Sequence, residues 1–322
     1  MRLLDRRAAA AWTSYAALAV ELGGNLVAET AREDGPDFIC IGLQKAGTQW
    51  LYDQLQFHPD FWMTPIKELN FFFPQFQNGS AVHAAKRFHE NPKKINKVNA
   101  RRNKEGIRPL GEADLVFFEN VYEMIDKVRD MDDYARLFAP KGHLLSGDVT
   151  PRFSVLDRAT IHALAARFPR TKIILMLRDP VERAWSHWRM MISREQVPAE
   201  AEQDVPSLRR FFRKPFNRSL SYPTEIAQRW RDAFGEERLH YFFLDDVTND
   251  PADVRARFIS LLGGDPEKSS FLEPGYNRKA KPYVSSRTEP VQRFMRNLFA
   301  AEREACAEVF GGPARQWLTA PY

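Results

Sequence analysis

The sequence predicts an α/β fold of three layers, a central and mainly parallel sheet flanked by helices on both faces. Three observations lead there. Residues 172–177 (KIILML) form an apolar run with no polar alternation, the pattern of a parallel strand covered on both faces. Residues 37–42 (DFICIG) form a second apolar run that ends in glycine and leads through a short loop into a helical pattern. Strand-like and helix-like segments then alternate along the chain, as a layered α/β domain requires.

Taken in order, residues 37–42 read as a buried strand and residues 43–47 as a loop. From Thr48, Leu51 and Leu55 recur at the i, i+4 spacing of a helix. Residues 74–110 lack periodicity and are expected to form a long excursion, part of a basic insertion over about 74–118. Asn120 is expected to open one helix running to about Phe138, with Val121, Met124, Ile125, Val128, Met131 and Tyr134 on its apolar face. Pro140 and Gly142 would stop it. Residues 144–148 read as a strand, 155–168 as a helix stopped by Pro169, and a helix starts near Val181. Thr224 is a plausible cap for a helix to Phe234, residues 238–244 form another strand, and residues 251–262 a helix ended by Gly263-Gly264. Residues 1–35 suggest an amphipathic helix packed on one domain spanning 36–322. A cleaved signal or short anchor is the alternative, because Arg6-Arg7 precedes an apolar stretch that is too short and too polar for a span.

Composition narrows the classes. The 322 residues hold 47 Lys+Arg against 42 Asp+Glu, a net charge of +5, with 44% apolar and 28% charged residues. That excludes a disordered chain, a collagen-like repeat and a polytopic membrane protein. Two cysteines, Cys40 and Cys306, exclude a disulfide framework and a cysteine-based zinc site, and they fit a reducing compartment. The charge is local: residues 86–108 carry nine Lys/Arg and two acids, a segment of +7, so the rest of the chain nets −2.

The chemistry is carried by two segments. Gly42-Leu-Gln-Lys45-Ala-Gly47-Thr48 lies between a strand and a helix. Glycine lets backbone approach an anion, the helix start offers free N–H groups, and Lys45 and Thr48 add a charge and a hydroxyl. In nucleotide hydrolases the lysine follows the second glycine; here Lys45 precedes Gly47. The second segment places Arg178 at the carboxyl end of a buried strand, with Ser186 in the helix that follows. Ligands bind at such strand ends, and arginine grips phosphate bidentately. Asp179 and Arg183 read as helix-start electrostatics and a local ion pair.

Together these segments resemble the sulfotransferases that use 3′-phosphoadenosine 5′-phosphosulfate (PAPS), whose domain is P-loop-like. The similarity continues through Thr64-Pro-Ile-Lys67-Glu68-Leu-Asn-Phe-Phe72, Gly147-Asp-Val-Thr150-Pro151 and residues 238–264, so it spans about 36–265. The Lys-Glu-x-x-Phe-Phe segment is similar to the heparan-sulfate and bacterial branch. The resemblance implies that Lys45, Ala46, Gly47, Thr48, Gln49 and Trp50 meet the 5′-phosphosulfate, and that Arg178 and Ser186 hold the 3′-phosphate. It implies Glu68 as catalytic carboxylate beside Lys45, and Lys67, Asn70, Phe72, Thr150 and Tyr222 on the acceptor side. Lys279 and Lys281 are candidates for a basic loop that closes over the nucleotide. Gln49 departs from the commoner Thr or Arg. Phe73 and Val149 stand where heparan 3-O-sulfating enzymes have an acid and a lysine, so a heparan acceptor is not supported.

The expected reaction is in-line transfer of a sulfuryl group to a hydroxyl, less readily an amine, of a saccharide, lipid, small metabolite or peptide tyrosine. No metal is expected, since no acids or histidines are spaced to hold one. A cytoplasmic, bacterial enzyme is the expectation. The alternatives are a P-loop kinase or nucleotide hydrolase and a non-catalytic polyanion-binding protein. Nucleic acid is not an expected partner, since the basic run lacks interleaved aromatics.

Overall fold

The structure, a computed structural model, describes residues 35–105, 107–268, 270, 272–277 and 287–319. The expected N-terminal helix and Lys279 and Lys281 lie outside the described residues.

Among the described residues four strands form one sheet: β1 (Phe38–Gly42), β2 (Gly147–Val149), β3 (Lys172–Leu177) and β4 (Leu239–Phe243). Their order is β2-β1-β3-β4 and every pairing is parallel. β1 and residues 173–177 are buried throughout, which is why they read as unbroken apolar runs.

The helices follow in chain order. Helix α1 (Thr48–Gln56) leaves β1. Between it and β2 lie α2 (Ser80–Glu90), α3 (Ile95–Lys104), α4 (Glu112–Glu123) and α5 (Met131–Arg136). Helix α6 (Arg158–Arg167) leads into β3 and α7 (Pro180–Ser193) leaves it. Helices α8 (Val205–Arg213), α9 (Pro215–Ser219) and α10 (Pro223–Phe234) precede β4. After it come α11 (Leu244–Asn249), α12 (Pro251–Leu262), α13 (Glu289–Phe310) and α14 (Pro313–Gln316). Among the described residues no helix is long and apolar enough to cross a membrane.

Aspartates start several helices by accepting a free N–H. Asp157 accepts from Thr160 at the start of α6, Asp179 from Val181 at α7, and Asp250 from Asp253 at α12. Gly263, at φ 92°, closes α12.

Three expectations change. The stretch read as aperiodic holds α2 and α3. Ala81, Val82, Ala85 and Phe88 of α2 are buried, and the surrounding charges masked that stripe. The single helix expected over 120–138 is two helices. α4 begins earlier, at Glu112, and ends at Glu123, and Asp126 in the turn beyond it has φ 59°. Val128 is 99% exposed despite its place in the apolar pattern. The break has a local cause: Asp130 accepts from the N–H groups of Asp132 and Asp133, both at 2.9 Å, and starts α5 afresh. Finally, Thr224 does not cap α10. Tyr222 occupies that position, while the Thr224 hydroxyl and N–H donate to Glu302 at 2.8 and 2.9 Å.

Candidate active site

The loop between β1 and α1 turns on two glycines and a lysine with positive φ: Gly42 at 146°, Lys45 at 74° and Gly47 at 93°. Gly47 lies in the region that favours glycine, and a Cβ there would also stand 3.0 Å from Leu244 Cδ1. Leu43 N–H donates to Met176 O at 2.8 Å, pinning the loop to β3. The first N–H groups of α1 have no acceptor within the helix. Gln44 Oε1 is buried in this loop without a hydrogen-bond partner.

Arg178 leaves the end of β3 and donates from Nη1 to Lys45 O at 3.1 Å. This bond joins the two sequence segments across 133 positions. Arg178 also faces Glu182 at 3.5 Å, with a quarter of its side chain exposed. Burial pushes its guanidinium below the ordinary value, and Glu182 acts against that shift. Ser186 sits half-buried two turns into α7.

Not every residue of the loop turns its side chain to an anion. Ala46 is buried and Thr48 nearly so. Gln49 Nε2 donates to Asp53 Oδ1 at 2.9 Å, within α1. Trp50 lies in the core, its indole donating to Pro274 O at 2.8 Å.

Glu68 stands on a tight loop. It has φ 64° and Asn70 has φ 54°, both in the left-handed region that costs a non-glycine residue energy. Buried Leu69 and Phe71 fasten the loop between and beyond them. Glu68 N–H donates to Val149 O at 3.2 Å, and Asn70 Nδ2 donates to Glu68 O at 2.8 Å. The Glu68 carboxylate is 45% exposed and pairs with Lys67 Nζ at 2.8 Å.

Beneath this loop lies an acid that sequence reading did not single out. Asp148 is fully buried at the centre of β2. Thr150 Oγ1 donates to its Oδ1 at 2.6 Å and Tyr134 OH to its Oδ2 at 3.1 Å. Burial pushes this carboxyl up to about 6, with those two hydrogen bonds pulling the other way. Tyr134 packs on Phe71 and Phe72 at 5.1 and 4.8 Å between centroids, so the buried acid supports the Glu68 loop. Thr150 is itself wholly buried and leaves no surface for an acceptor. Phe72 is half-buried over Phe153, and Tyr222 lies under Arg218 at 4.2 Å.

Two arginines of the basic run also serve this loop. Arg102 Nη1 donates to Pro65 O at 3.3 Å and Arg108 Nη2 to Met63 O at 3.4 Å. Arg108 is held by Asp114 through bonds of 2.9 and 2.7 Å, and Asp114 also accepts from Trp62 Nε1 at 3.1 Å. No local sequence signal marks these long-range contacts. Asp179, expected in an ion pair with Arg183, pairs with Arg303 at 3.4 Å instead. His187 is buried and burial, then Arg183 and Lys45, push it down to about 3, so it is a neutral packing residue. Among the described residues no group of three or more His, Cys, Asp or Glu could hold a metal ion.

No curated protein matches the sequence. Among solved structures, a sulfotransferase from Alicyclobacillus acidocaldarius superposes with a TM-score of 0.58 at 20% identity, covering 90% of this chain and 99% of that one. The sulfotransferase domain of the Synechococcus PCC 7002 olefin synthase matches at a TM-score of 0.44 and 13% identity, over 85% and 98% of the two chains. Sulfotransferase STF9 from Mycobacterium avium matches at 0.42 and 15%, over 84% and 69%. The profile of the family described as "Sulfotransferase family" matches residues 36–265, so the chain belongs to the sulfotransferase family, whose chemistry is sulfuryl transfer.

Proposed function

We propose that the protein transfers the sulfuryl group of PAPS to an acceptor hydroxyl, with Glu68 as general base. The observation that carries this reading is the bond from Arg178 to Lys45 O, which sets a phosphate-gripping cation beside a glycine-bounded anion loop. The residues fit the donor. Gly47 leaves space that a side chain would fill, and the α1 start offers N–H donors to an anion.

When bound, PAPS supplies a sulfuryl group activated by its bond to phosphate. Lys45 and the α1 N–H groups would bind the 5′ end and hold the charge that builds on the oxygen leaving sulfur. Arg178 and Ser186 would hold the 3′-phosphate. Glu68 would exchange its Lys67 partner for the acceptor hydroxyl and accept its proton. Lys67 and Asn70 fix the Glu68 carboxylate and carbonyl, and Phe72 and Tyr222 offer partly exposed rings to the acceptor. Gln49 and Trp50 support α1 with their side chains and offer only backbone to the donor.

The test is transfer of labelled sulfate from PAPS into candidate hydroxyl acceptors, without added metal, by the wild type and Glu68→Gln. The expected loss for the variant is roughly 10²–10⁴-fold in rate. Near-normal turnover would remove Glu68 from the role, and ATP turnover with Mg²⁺ in place of 3′,5′-ADP binding would favour a kinase or nucleotide hydrolase.

A further inference from the structure

Helix α7 buries a cation that has no counter-charge among the described residues. Arg183 has no exposed surface. Its Nη2 donates to Ser221 Oγ at 2.7 Å, and Ser221 Oγ in turn donates to Asn217 O at 2.7 Å. Its Nε and Nη1 are buried with no acceptor. The nearby acids are engaged elsewhere: Asp179 with the Val181 N–H and Arg303, Glu182 with Arg178 and Arg287. Other buried cations are matched, as Lys141 is by Asp37 at 2.9 Å and Arg303 by Asp179 at 3.4 Å.

An unpaired buried guanidinium costs a fold several kcal/mol, and an apolar side chain of similar volume would serve packing better. The surroundings add to the cost. Burial and then Arg178 push Arg183 down to about 9, so the neighbour it feels is another cation. Arg183 and Ser186 are three residues apart on α7 and so share a face of the helix. Lys45, Arg178 and Arg183 thus bring three cations towards the ends of β1 and β3, where Glu182, Asp245 and Asp179 act on Arg178.

We propose that Arg183 is a buried third cation of the donor's phosphate site, neutralised when a phosphate monoester dianion is held by Arg178 and Ser186. This deepens the PAPS reading and rests on it. Arg183 acts through its field, held in place by Ser221, and the missing counter-charge is the ligand's own. The cost of burying it is recovered on binding.

The test uses the full chain and two probes, 3′,5′-ADP and 5′-AMP, with calorimetric affinities and thermal midpoints for wild type, Arg183→Met and Arg183→Lys. Arg183→Met is expected to bind 3′,5′-ADP roughly tenfold or more weakly, the size of one close charge interaction at protein-like screening. Its affinity for 5′-AMP, which lacks the 3′-phosphate, should change far less, and its ligand-free midpoint should hold or rise. Arg183→Lys should stay within about threefold of wild type, since the charge survives without the fork. Equal losses for both nucleotides, equal losses in Met and Lys variants, or unchanged 3′,5′-ADP affinity in Arg183→Met would each overturn the proposal. Wild type that binds no 3′,5′-ADP would instead overturn the donor reading, and the inference with it.

Discussion

Glu68 and Asp148 divide the work of one small region between an exposed carboxylate and a buried one. Glu68 was legible because Lys-Glu-x-x-Phe-Phe is local in sequence. Asp148 was not, because the reason it matters lies in Tyr134, fourteen positions away, and in the rings that tyrosine supports. The structure gives Asp148 a measurable signature. Its carboxyl is raised from 3.8 to about 6, so the folded chain keeps a proton that the unfolded chain releases. Between about pH 4 and pH 6 the unfolded state binds fewer protons, and stability must therefore fall as pH rises through that window. Below it the contribution is fully present, and above it is lost. Asp148→Asn should flatten this segment of the stability curve, measured as denaturant midpoints from pH 4 to 7. An unchanged slope would mean that the proton is held elsewhere.

At the scale of elements, β1 and β3 were legible because burial on both faces leaves an unbroken apolar run, whereas Asp148 interrupts β2 and His240 interrupts β4. The helices before β2 were less so. Their boundaries depend on where Asp130 caps and on which charges pack, and neither follows from apolar spacing alone. The loop between β1 and α1 was read from glycine and lysine spacing, and the positive φ of Gly42 and Gly47 explains why the glycines matter. Gly47→Ala must place a side chain at φ 93° and against Leu244, at a cost of about 1–2 kcal/mol. The expected outcome is a lower thermal midpoint together with weaker 3′,5′-ADP binding; a variant that binds normally would detach this glycine from the anion loop. The Glu68 loop has its own brace in Asp114, which is wholly buried and accepts from both Arg108 and Trp62. Asp114→Ala leaves those donors stranded and should cost about 3–5 kcal/mol in urea unfolding. A loss well under that would show that water replaces the carboxylate.

Across the whole molecule the formal charge of +5 resolves into parts with different duties. Lys45, Arg178 and Arg183 stand at the strand ends, outside the basic run. Within the run, Arg102 and Arg108 are turned inward to hold the backbone of residues 63–65. Lys93, Lys94, Lys97 and Lys104 are exposed along the turn before α3 and on α3 itself, a helix that fully buries none of its side chains. Exposed lysines cost little to remove, within about 0.5 kcal/mol each, and their field fades over roughly 8–10 Å at ordinary salt. Replacing these four by glutamine lowers the net charge from +5 to +1 without touching Lys45, Arg178 or Arg183. The folded chain should therefore leave a cation exchanger at lower salt, keep its thermal midpoint, and bind 3′,5′-ADP with unchanged affinity. A drop in 3′,5′-ADP affinity that disappears at high salt would extend the donor's electrostatic field to α3. A rise in acceptor KM with donor affinity intact would give the strip to an anionic acceptor.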